Sequence, residues 1–94
     1  MNVQDHLRML GLEVQDKVTQ FQGIVTSVCF DLYGCLQYAV SPRIDKGGRI
    51  PEGRWIDAHR VHVLDDRPVM ARPEFVEMHK EPVMLTGPAE KPVR

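Results

Sequence analysis

The stretch from Gly23 to Val40 limits this chain's possible folds more than any other. GIVTSVCF (Gly23 to Phe30) is dense in β-branched residues, which lose little rotamer freedom on a pleated surface. Asp31 and Gly34 then bracket a tight reversal, and CLQYAV (Cys35 to Val40) resumes a period-two alternation. Two strands joined so shortly must run antiparallel. The spacing predicts a β-hairpin at the centre of a small all-β domain. Ile24, Thr26, Val28 and Phe30 form the more apolar face of its first arm and are expected toward the core, with Val25, Ser27 and Cys29 away from it. A bulge would exchange these faces. On the second arm Leu36, Tyr38 and Val40 alternate against Cys35, Gln37 and Ala39.

The flanks extend the pattern. Val3, Leu7 and Leu10 stand at helical spacing after Asn2 and stop at Gly11, which predicts a short helical or irregular segment over residues 1–11. Period two takes over from Leu12. SPRIDKGGRIPEG (Ser41 to Gly53) carries two prolines and three glycines and reads as a mobile surface loop, a place where function often sits. RWIDAHRVHVL (Arg54 to Leu64) returns to apolar alternation: a strand at Arg54 to Ile56, a turn at Asp57 to His59, and a short strand at Arg60 to Leu64. A β domain is therefore expected over residues 12–65, with a proline-rich extension over 66–94 that holds five of the seven prolines. That extension repeats a Pro-Val-Met unit in RPVM (Arg67 to Met70) and EPVML (Glu81 to Leu85). FVEMH (Phe75 to His79) could form a helical turn after Pro73. Both a loosely packed tail and an arm that clasps the domain or a partner remain open.

Composition excludes several classes. A chain of 94 residues has room for one core. No apolar run approaches the ~20 residues that cross a bilayer, and MNVQDHLRML lacks the features of a secretory signal, so a cytoplasmic location without membrane contact is expected. Net charge is −1. Seven basic residues face eight acidic ones up to Asp65, and five face five thereafter, which gives no basic cluster for gripping phosphate and disfavours nucleic-acid binding.

Catalytic signals are absent: there is no glycine-rich phosphate loop, nucleophile elbow or paired-carboxylate motif. Cys29 and Cys35 lie on the two arms of one hairpin, where a three-residue loop would set them opposite each other. Small buried thiols explain them best, because a metal site needs more ligands and C-x-x-C spacing is missing. His59 and His62 share a face only on a helix, and a strand is expected there. Asp57 suits the cap of the following turn. No metal or cofactor is expected. Trp55 is the single tryptophan, a residue type that either anchors small cores or leads binding hot spots. Candidate binding residues are Tyr33, Arg54 and Trp55, with Arg43 and Arg49 in the adjoining loop.

The order of elements, a first strand, a long hairpin, a loop, then strand, tight turn and short strand, resembles the SH3-like small barrel of about five strands. VQDKVTQFQGIVTSV (Val14 to Val28) is similar to the KOW-type pattern, with Phe21 and Gly23 at its turn. VTQFQG, YGCLQYAVSP and PEGRWID together resemble uncharacterised bacterial, prophage and gene-cassette small-barrel proteins, over about Leu12 to Leu64. That resemblance implies a protein encoded on a phage or other mobile element. RWIDAHRVHVL is also similar in layout to the small subunits of plasmid-borne trimethoprim-resistant dihydrofolate reductase, which assemble around one pore. Gly53, Arg54, Trp55 and Ile56 replace that enzyme's Val-Gln-Ile-Tyr active-site run, which argues against reductase activity. The expectation is a non-catalytic protein-interaction module whose partner is another protein or, in a homo-oligomer, a second copy of the chain. The alternatives are a small-ligand binder or enzyme with its site at a symmetry axis, and a KOW-like nucleic-acid module.

Overall fold

The computed structural model describes residues 1–75. The second Pro-Val-Met unit, and all of FVEMH except Phe75, lie outside the described residues. Five strands form one antiparallel sheet: β1 (Glu13–Asp16), β2 (Gln22–Phe30), β3 (Leu36–Ser41), β4 (Arg54–Asp57) and β5 (Val61–Asp65). Their spatial order is β4-β3-β2-β1-β5. A single 3₁₀ turn, Ala58–Arg60, carries the chain from β4 on one edge to β5 on the other. No ladder joins these two strands, so the sheet is open and the expected barrel is not closed by hydrogen bonds. The all-β class and the central hairpin agree with the alternation in the sequence.

The two faces of β2 differ from expectation. Val25 pairs with Val40, whereas Ser27 pairs with Ala39, leaving Thr26 as an extra residue in the strand. This bulge reverses side-chain parity within β2. Val25 is 1% exposed and joins Leu12, Val14, Tyr38, Val40 and Ile56 in the core, while Ile24 is only half-buried. Val28 packs on that core from beyond the bulge, whereas Thr26 and Phe30 are exposed, so of the expected inward set Val28 alone reaches the core. Gly23, opposite Val14, is needed for close approach: a Cβ there would lie 2.5 Å from the Ser41 carbonyl oxygen. On β3 the alternation holds, with Tyr38 and Val40 buried and Leu36 half-buried.

Asn2 and Asp5 close a reciprocal capping box at the start of the helix α1 (Val3–Leu7). The helix ends before Leu10, earlier than its apolar spacing suggests, and Gly11 follows at φ 87°. Gly11 then bridges two segments. Its N–H donates to the Val25 carbonyl at 2.8 Å, and its own carbonyl accepts the Val69 N–H at 2.9 Å. Residues 66–75 thus form a strap against the domain, held further by Arg72 Nε donating to the Leu10 carbonyl at 2.9 Å. Among the described residues no helix is long and apolar enough to cross a membrane.

Candidate binding surfaces

Pairing register sets which side chains share the face of the sheet opposite the core. Trp55, Ala39 and Ser27 align across β4, β3 and β2, and Asp57, Gln37 and Cys29 form the next row. Trp55 is 55% exposed. Ala39 and Ser27 on its row are small and uncharged, and the Asp57 carboxylate stands in the next row of the same face. Asp57 caps the 3₁₀ turn as expected, accepting the His59 N–H at 3.0 Å, and that hydrogen bond draws its carboxyl below the usual range. His59 Nδ1 approaches the same oxygen at 3.1 Å.

The other candidates do not all gather there. Arg54 precedes Trp55 on β4 and, by strand alternation, leaves on the opposite side. The loop from Ser41 to Arg54 enters at the end of β3 remote from the hairpin turn. Arg43 in this loop reaches Glu13, with Nε 3.5 Å from the carboxylate. Arg49 closes a small turn built on Asp45, whose carboxylate accepts the Gly47 and Arg49 N–H groups. Tyr33 sits at the other end of the hairpin, 86% exposed beside Leu32 at 89%. The structure therefore separates the Tyr33 tip from the Trp55 and arginine end.

The cysteines are neither opposed nor buried. Cys29 pairs with Gln37, while Cys35 precedes β3, its carbonyl accepting the Asp31 N–H. Both are exposed free thiols, contrary to the buried pair expected. The carboxylate of Asp31 beside Cys35 pushes that thiol's pKa up, which keeps it protonated and a poor nucleophile. His62 pairs with Gln15 on the distant β1–β5 ladder. Among the described residues no group of three His, Cys, Asp or Glu could hold a metal ion.

Two features escaped the sequence reading. Asp16, 2% exposed, accepts hydrogen bonds from Arg60 Nε (3.1 Å) and Nη2, the Val18 N–H (2.9 Å) and the Thr19 hydroxyl (2.9 Å). These bonds, led by Arg60, hold its carboxyl well below the usual range despite burial. Lys17 N–H also donates to the Arg60 carbonyl at 2.7 Å, so the β1–β2 turn is tied to the 3₁₀ turn. A signal existed: Asp16 shares strand parity with Leu12 and Val14, and an acid on an inward register requires a partner. The second feature is His6, whose Nδ1 lies 2.7 Å from the hydroxyl of buried Tyr38 and whose ring meets Phe30 edge-on. Burial pushes the Tyr38 phenol pKa up.

Acidic partners occupy several arginines. Arg8 pairs with Asp5, Arg43 with Glu13, Arg60 with Asp16 and Arg67 with Asp65. No protein-family model, curated protein or solved structure matches the chain.

Proposed function

We propose that this chain is a non-catalytic protein-interaction module of the SH3-like small-barrel kind, and that its partner docks on the outer face of β2, β3 and β4 around Trp55. The observation that carries this reading is the half-exposed indole beside Ala39 and Ser27. A rigid aromatic over small, uncharged neighbours can bury a large apolar area at low entropic cost, and tryptophan leads the residue types found at binding hot spots. The order β4-β3-β2-β1-β5 with a 3₁₀ turn between β4 and β5 supports the small-barrel kinship. Encoding on a mobile element rests on the resemblance alone. Pairing of Arg8, Arg43, Arg60 and Arg67 with acids favours protein over nucleic acid, because each neutralised guanidinium is lost as a phosphate contact.

A second copy of the chain belongs to the same partner class. β4 is a four-residue edge strand, and an uncovered edge can pair with another chain. Light scattering on the full chain, run beside affinity capture with chemical cross-linking, tests both forms. The expected result is a defined partner or dimer that wild type holds and Trp55→Ala loses, with the two proteins giving the same far-UV spectrum and thermal midpoint. Retention by a folded Trp55→Ala variant would overturn the assignment.

A further inference from the structure

The strap leaves an apolar groove of about 280 Å³ between residues 66–75 and β2. Leu10, Ile24, Val25, Val69, Met70 and Phe75 provide its apolar lining, with Thr26 and Arg72 as the polar side chains. The Thr26 hydroxyl lies 3.2 Å from Ser41 Oγ, and Arg72 Nε donates to the Leu10 carbonyl, so the lining is mainly apolar. The volume is slightly below the ~300–1,000 Å³ typical of small-molecule sites, and suits one or two aliphatic side chains.

How the strap itself docks shows what this surface accepts. Pro68 packs over Gly11, which has no Cβ, and Val69 donates its N–H to the Gly11 carbonyl. Proline suits such a contact because it brings apolar surface without an N–H that burial would leave unpaired. The same tripeptide recurs at positions 82–84. Beyond Phe75 the run Pro82-Val83-Met84-Leu85 is the longest stretch of apolar side chains, and acids and bases are interspersed through most of the remainder. Phe75 lines the groove, and Pro82 follows seven residues later, a reach of up to ~25 Å when extended.

We propose that the groove is the docking site of the chain's own second Pro-Val-Met unit, with Val83 and Met84 as the inserted side chains. The extension then clasps the sheet through two copies of one motif, the first fixed on Gly11 and the second laid along β2. Docking covers Ile24, a residue that the bulge at Thr26 leaves outside the core.

A paramagnetic label tests this in the full chain. Cys29→Ser and Cys35→Ser remove the exposed thiols, and Thr86→Cys carries a nitroxide. The expected result is that methyl signals of Ile24, Val25 and Val69 lose most of their intensity, while those of Leu32, at the far end of the hairpin, keep theirs. Val83→Asp with Met84→Asp restores the lost signals and leaves the sheet's spectrum unchanged. Unattenuated Ile24 and Val69 signals in the labelled chain would overturn the proposal. So would attenuation that arises only when isotope-labelled chains without nitroxide are mixed with unlabelled chains carrying it, because the occupant would then be a second copy.

Discussion

Replacing Val25 and Ile24 in turn by alanine tests the bulge directly, because the two residues exchange roles if Thr26 is an ordinary strand residue. Val25 is 1% exposed and touches the cluster of Val14, Tyr38 and Val40. Val25→Ala removes two carbons from a closed site, a transfer loss of about 1.6 kcal/mol at ~0.8 per methylene. A residual cavity of up to about 50 Å³ adds about 1.2 kcal/mol, for a total of about 2–3 kcal/mol. Ile24→Ala removes three carbons, but they face the half-open groove, where the neighbourhood can relax and much of the surface is already wet. Its cost is expected to be about 1 kcal/mol. For a domain of this size Val25→Ala should lower the thermal midpoint by about 10–20 °C, and Ile24→Ala by less than half of that. Thermal unfolding followed by circular dichroism, with urea titrations as a check on two-state behaviour, measures both. A larger loss for Ile24→Ala would refute the bulge and restore simple alternation along β2.

Other perturbations probe different contacts. Because the folded pKa of Asp16 lies below its ordinary 3.8, the unfolded chain takes up this proton first on acidification. Its contribution to stability is therefore present above pH 3.8 and lost as pH falls through that value toward the lower folded one. Asp16→Asn should be less stable than wild type at neutral pH, with the gap narrowing in acid; urea midpoints across that range read the trend, and a gap that widens in acid contradicts it. Gly23→Ala forces a Cβ to 2.5 Å from the Ser41 carbonyl and should cost about 1–3 kcal/mol by chemical denaturation. Gly47→Ala, whose nearest contact is 3.4 Å, should stay within about 0.5 kcal/mol of wild type. Tyr38→Phe removes the hydroxyl that meets His6, with an expected loss of about 1 kcal/mol and faster hydrogen exchange in α1. Unchanged exchange there would mean that this contact does not hold the helix.

What alternation and turn chemistry can report, they report well here. The hairpin arms, the strand from Arg54, the turn capped by Asp57 and the helix start at Asn2 all depend on neighbours within a few residues, and each is present. Trp55 and Tyr33 were legible as exposed aromatics only in type, since burial of an aromatic depends on what lies across the sheet. The groove, the Asp16–Arg60 tie and the His6–Tyr38 contact join residues separated by 15 to 62 positions, and no local pattern contains both members.

By itself the sequence determined an all-β chain organised on Gly23 to Val40, because β-branched density and a two-residue period restrict φ and ψ residue by residue. Tertiary structure decided which face of that hairpin is inside. One extra residue at Thr26 fits only when β3 supplies Val40 on one side of it and Ala39 on the other, a register that neither strand encodes alone. That Arg43 and Arg49 stand apart from Tyr33 follows from the order of elements, because β3 runs between the turn that holds Tyr33 and the loop that holds the arginines. Side-chain parity is a local property, whereas register and strand order are set by the packing of the whole sheet.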